Sequence, residues 1–154
     1  MSFQNQFTKT TTDANLMETV HHGSTEYPFR YYYENIALFD FKCIDWHWHS
    51  ELEFIYIESG NVVFDIGTVH FELNEGNGIM INSKILHRLQ SSSDAIIPNF
   101  LFQPSFIAPQ DSLIYKKYIN PVISSSLEYL VFQPDIPWQK KALEIIKTII
   151  VIPL

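Results

Sequence analysis

The chain has 154 residues, 46% of them hydrophobic and 15% aromatic, which suits one domain with its own core and excludes general disorder. Seventeen acidic side chains against ten basic ones leave a net charge of −7, so this segment lacks the basic face that direct nucleic-acid binding needs. Cys43 is the single cysteine, which excludes a disulfide framework and a cysteine zinc cluster.

Residues 1–26 are expected to form a flexible leader. Thr8, Thr10, Thr11 and Thr12 cluster there with Gln and Asn and show no periodicity, and His21 and His22 are expected to be solvated. The first 16 residues hold no apolar stretch of the kind a signal peptide needs, and no run approaches the about 18 apolar residues of a membrane span. A soluble, cytoplasmic protein with no membrane contact is the expectation.

Residues 27–106 carry short β-type runs at 29–33, 38–44, 52–57, 62–66, 69–73, 79–81 and 96–102. Gly60-Asn61 and Gly67-Thr68 separate three of them, a pattern that predicts consecutive antiparallel hairpins. Many short strands at regular spacing predict a mostly β sandwich or barrel. Trp46 and Trp48 are expected to pack in the core, and His70 to face outward.

Near Pro104 the pattern changes, and residues 107–154 are expected to be a helical linker or dimerisation segment. A helix over 112–119 is expected to stop before Pro121; Asp135 and Pro137 then open a second. Trp138, Ala142, Ile145, Ile146, Ile149 and Ile150 form its apolar stripe, which either rests on the barrel or pairs two copies of the chain. The greasy end, 149–154, is unusual for a free terminus and suggests a chain cut from something longer.

The densest chemistry lies in Trp46-His47-Trp48-His49-Ser50-Glu51-Leu52-Glu53. Alternation on an extended strand puts His47, His49, Glu51 and Glu53 on one face, where nitrogen and oxygen donors suit a divalent transition metal such as Zn, Ni, Mn or Fe. His87 lies beyond the next two hairpins, where an antiparallel sandwich could bring it opposite the first pair.

These residues resemble the cupin family. His47-x-His49, three residues, Glu53, six residues and Gly60 match the first cupin motif at every spacing except its leading glycine, where Phe41 stands. Gly76 precedes His87 by eleven residues as in the second motif, while Asn82, Lys84 and Ser91 occupy its Pro, Gly and Asn positions. The resemblance spans about residues 39–103 and implies a jelly-roll barrel (a double-stranded β-helix) followed by two C-terminal helices. The altered turn at Asn82 and Lys84 is expected to displace His87, which would favour a polar hydrogen-bonding pocket over a full metal equivalent.

The wording between the motifs resembles the sensor half of AraC-type transcription regulators. That resemblance implies an effector-binding and dimerisation domain with no catalytic residues, which senses a small molecule, a sugar among the candidates. DNA would be reached only through a helix-turn-helix half not included in this chain. The effector is expected to meet His47, His49, Glu53 or His87, with Ile55, Phe64 and Ile66 as apolar walls, and the chain to form a homodimer through its C-terminal helix. In arabinose-type relatives the segment before the barrel closes over the ligand, which makes Arg30 and Tyr31 pocket candidates here. The alternative is a metal-dependent cupin enzyme, an oxygenase or isomerase, in which three histidines and a glutamate leave coordination positions open.

Overall fold

The computed structural model describes residues 8–151. The first seven residues of the expected leader lie outside the described residues, as do Ile152, Pro153 and Leu154 of the apolar C-terminal run. Nine strands form two antiparallel sheets: β1 (Phe29–Tyr32), β8 (Asn99–Phe102), β3 (Leu52–Tyr56), β6 (Gly78–Ile81) and β9 (Tyr129–Phe132) in that order, and β2 (Cys43–His47), β7 (His87–Gln90), β4 (Asn61–Ile66) and β5 (Val69–Asn74). The mostly β expectation holds. The two sheets face each other as separate hydrogen-bonded units.

Their inner faces make the main core. Ile55, Val62, Phe64, Ile66, Ile79 and Ile81 are fully enclosed there, each on the inward parity of its strand, and Ile57 joins them just past the end of β3. Ile55, Phe64 and Ile66 are therefore core residues. A second apolar cluster lies on the outer face of the five-stranded sheet, where Leu143, Ile146 and Ile150 of helix α2 (Pro137–Val151) pack on Phe100, Phe102 and Phe132. The expected stripe thus divides: Ile146 and Ile150 rest on the sheet with Leu143, while Trp138 and Ile145 are exposed.

Several expected elements are rearranged. The 52–57 and 62–66 runs do not form a hairpin: β3 bonds β6 and β8, while β4 bonds β5 and β7. At Gly60 the chain crosses between sheets with φ +82, and a Cβ there would meet the Asp94 carbonyl oxygen at 2.4 Å. The β4–β5 hairpin over Gly67-Thr68 is as expected. Residues 36–42 turn through two 3₁₀ segments, so the strand expected at 38–44 begins only at Cys43.

The first C-terminal helix does not stop before Pro121. A π-helical turn, Tyr115–Ile119, runs directly into α1 (Asn120–Ile123), with Pro121 in the first α turn. The wider turn gives room where the proline ring would crowd the carbonyl four residues earlier. Strand β9, between the two helices, was not expected; its backbone completes the ladder along β6.

Both cupin glycine positions that this sequence lacks keep left-handed backbone. Phe41 has φ 61 and Lys84 has φ 64. Left-handed backbone costs a side-chain-bearing residue roughly 1–2 kcal/mol. Phe41 is 97% exposed, so its ring recovers nothing by packing. Phe41→Gly should raise stability by about 0.5–1 kcal/mol once the greater freedom of unfolded glycine is subtracted, read as an increased midpoint in urea.

Candidate functional site

At one end of the space between the sheets four side chains converge. His47 ends β2 and pairs with His87 of β7, on the four-stranded sheet; Glu53 projects from β3 on the facing sheet. A break in register between Ile44 and His47 turns the end of β2 inward, and His49 follows in the connection to β3. One nitrogen from each histidine and one Glu53 oxygen lie within 4.8 Å of one another, and all four residues are buried. Glu51 does not join them: its carboxylate accepts from Gln103 Nε2 at 3.0 Å. The expectation of a displaced His87 is overturned.

The turn that carries His87 explains why. Asn82 Nδ2 donates to the carbonyl oxygens of Val122 (3.0 Å) and Leu127 (2.7 Å), and its Oδ1 accepts from Ser83 N. Lys84, in the left-handed region, donates its N–H to the His49 carbonyl at 2.8 Å. Side-chain anchoring and backbone handedness replace the Pro and Gly of the cupin motif.

Each histidine is oriented by a backbone carbonyl. Nδ1–H of His47 donates to Asp45 O (2.7 Å), that of His87 to Ile85 O (2.7 Å) and that of His49 to Glu51 O (3.1 Å). This fixes the tautomer and aims every Nε2 lone pair at the centre. There the Nε2 atoms of His49 and His87 face Glu53 Oε1 at 3.1 and 3.3 Å. Lone pairs facing a carboxylate repel unless a proton or a cation lies between them. The donor set, three imidazoles and one carboxylate, fits a divalent transition metal ion.

The electrostatics follow from the same crowding. Burial alone would lower His49, but the hydrogen bond to Glu53 and the Glu53, Glu18 and Glu51 charges raise it to about 8. His47 is driven down to about 3 by burial and by the neighbouring His87. Burial would raise Glu53, yet its hydrogen bonds to His49 and His87 and their charges hold it well below the carboxylate range.

Of the region expected to be a flexible leader, the described residues 8–26 pack across this end. Leu16–Glu18 zips onto Trp48: Trp48 N donates to Leu16 O at 3.0 Å and Glu18 N to Trp48 O at 2.9 Å. Glu18 and His22 enter the pocket, where His22 Nε2 donates to Glu18 and Tyr32 O–H donates to His22 Nδ1 at 2.7 Å. His22 is therefore not solvated, whereas His21 is exposed. Trp48 donates its indole N–H to Asn15 O, and Trp46 stacks with Arg88, so neither tryptophan is in the core. His70 lies outside, paired with Asp65.

With residues 8–26 packed across it, the cavity measures about 60 Å³ and is lined by Glu18, Val20, His22, Tyr32, Glu34, His47, His49, Glu53 and Asn99 among others. Tyr32, rather than Tyr31 or Arg30, faces it, and Ile55, Phe64 and Ile66 do not line it. Glu18, His22 and Glu34 were missed because their signals lie outside any motif. Burial pushes the Glu34 carboxyl up to about 7, with the Asn99 hydrogen bond opposing and the Glu53 charge adding.

The paired antiparallel sheets and the inward His₃Glu group give the arrangement that the sequence resemblance to cupins implies. Residues 39–109 match the family model of the AraC-like ligand binding domain. The chain is 32% identical over 140 residues to an uncharacterized HTH-type transcriptional regulator of Bacillus subtilis (strain 168), YdeC, covering 89% of this chain and 47% of that protein. It thus spans about half the length of this curated relative. The AraC-type and cupin resemblances of the sequence are borne out. Among solved structures it is similar to a cupin-2 domain-containing protein from Shewanella frigidimarina NCIMB 400, with 14% identity, 47% of this chain and 69% of the other covered, and a TM-score of 0.42. It is also similar to a cupin 2 conserved barrel domain protein from Salinispora arenicola CNS-205, with 12% identity, coverages of 58% and 71%, and a TM-score of 0.44. Among the described residues no helix is long and apolar enough to cross a membrane.

Glu34 sets a pH dependence. The unfolded carboxyl loses its proton near 4.5, the folded one near 7, so the folded state binds more protons between these values. Its contribution is present below 4.5 and is lost as pH rises to about 7. Thermal denaturation of Glu34→Gln against the parent chain should isolate this term: the difference in stability should shift by on the order of 3 kcal/mol between pH 4.5 and 7, in favour of the variant as pH rises.

Proposed function

We propose that this chain is the ligand-sensing domain of an AraC-type regulator, controlling a helix-turn-helix DNA-binding half that lies elsewhere in the full-length protein. The observation that carries this reading is the AraC-like match over the sheets that hold the histidines, together with the relation to a regulator along 89% of the chain. The effector binds between the sheets against His47, His49, Glu53 and His87, with a divalent ion as their shared partner. Such an ion would polarise a bound oxygen or nitrogen ligand. The chain's own residues hold the imidazole tautomers and keep Glu53 ionised. The cavity of about 60 Å³ is lined by polar and apolar side chains and has room for an ion and water.

The converging His₃Glu group also favours a second reading, a metal-dependent cupin oxygenase or isomerase. One experiment separates the two. Full-length protein should bind promoter DNA with an affinity that changes at least fivefold when the chelated protein is reloaded with Zn²⁺ or Ni²⁺, and His87→Ala should abolish the response. DNA binding that ignores the metal in both proteins would remove the sensing role from this site.

Two copies pair through α2. Ile145 is exposed and Ile149 half-buried beside a wholly apolar groove of about 320 Å³ that continues over Phe29, Phe106 and Ile107. Each large apolar side chain buried there contributes about 1.5–3 kcal/mol before association costs. Light scattering should give twice the monomer mass at micromolar concentration, and Ile145→Glu with Ile149→Glu should halve it while leaving the β-sheet circular dichroism intact.

A further inference from the structure

We propose that Glu18 of the N-terminal arm is the charge-balancing fifth ligand of the ion held by His47, His49, Glu53 and His87, so that metal binding and arm docking are one equilibrium. The inference rests on the metal reading of the site and adds to it the residue that closes it.

Position comes first. Glu18 is set by the backbone pair it makes with Trp48, the residue between His47 and His49, and its Oε2 lies 3.8 Å from His47 Nε2. That nitrogen has its lone pair free, because His47 Nδ1–H is committed to Asp45 O. The other Glu18 oxygen is held by His22, whose second ring nitrogen is held by Tyr32. A carboxylate fixed through one oxygen leaves the other to meet an ion.

Charge comes second. Among direct ligands, three neutral imidazoles and Glu53 leave a divalent ion with one positive charge that no ligand balances, the Glu51 carboxylate lying behind His49, 3.6 Å from its Nδ1. Such a net charge is costly where water is excluded. Glu18 cancels it. The same carboxylate is mostly enclosed, hydrogen-bonded to His22 and facing His47 at 3.8 Å.

Packing comes third. The arm has little apolar surface with which to dock: Leu16 and Met17 are exposed, and Val20 is the one aliphatic side chain of residues 8–26 that lines the cavity. Its remaining attachments are polar, such as Thr8 O accepting from Asp40 N and Thr10 Oγ1 from Asp45 N. Exposed hydrogen bonds of this kind add little net stability, so a metal–carboxylate bond would decide the balance.

The test uses chelator-stripped chain and Zn²⁺ or Ni²⁺ alone as the probe. Calorimetric titration should give one ion per chain, and amide exchange should show residues 8–26 gaining at least tenfold protection when it binds. Glu18→Gln keeps an oxygen for His22 to donate to and removes the charge. It should bind at least tenfold more weakly, and its arm should no longer respond to metal. If Glu18→Gln matches the parent in affinity and in arm protection while Glu53→Gln loses the ion, Glu18 is no ligand although the metal site stands. If the parent chain binds no ion at all, the metal reading fails and this inference fails with it.

Discussion

A carboxylate shut away from water has to be answered by positive charge, and in this protein that carboxylate is Glu53. It projects from β3 into the space between the sheets, against two imidazole nitrogens whose opposite ring atoms are already committed to backbone carbonyls. Everything around it serves that confrontation. The inturned end of β2 brings His47, the Asn82 turn brings His87, and the arm covers the opening. Below the group the core is plain hydrocarbon, Ile55, Phe64 and Ile66 packed without polar interruption. The fold therefore keeps its apolar and its ionic side chains in separate layers.

Much of this could be read from the sequence, and for a definite reason. Strand periodicity is local, and the spacing from His47 to Glu53 and from Gly76 to His87 records distances along strands whose pairing the jelly roll dictates. Once that topology is granted, His87 has to return beside His47, as the register of β2 against β7 shows. Strand identity was legible while strand partnership was not. A glycine between two β runs marks a change of direction, and nothing in Gly60-Asn61 distinguishes a hairpin from a crossing to the other sheet. β9 was hidden for a similar reason: Tyr129–Phe132 is too short to carry a pattern, and its place depends on the free edge of β6.

The arm was illegible for a deeper reason. Its Thr, Asn and Gln content matches that of a disordered segment, because the segment is held by backbone bonds to Trp48 and by a few polar side chains rather than by apolar burial. Composition measures the capacity to bury hydrocarbon and is blind to docking of this kind. The error over His22 followed directly. On the other side of the molecule the stripe on α2 was visible, but its division into a sheet-facing half and an outward half depends on the rotation of the helix on the sheet. Leu143 escaped notice although it is among the most buried residues of that helix.

Phe41 and Lys84 stand where the cupin motifs that the sequence resembles carry glycine, and both hold left-handed backbone. A motif letter of this kind encodes handedness, and residue identity is only its commonest expression. The spectrum of substitutions that positions 41 and 84 can accept should therefore follow the energetics of the left-handed basin: Gly, Asn and Asp readily, unbranched side chains at a cost, and Val, Ile or Thr hardly at all. A search by letters passes over any sequence that bears this cost, whereas a search by backbone conformation would retain it.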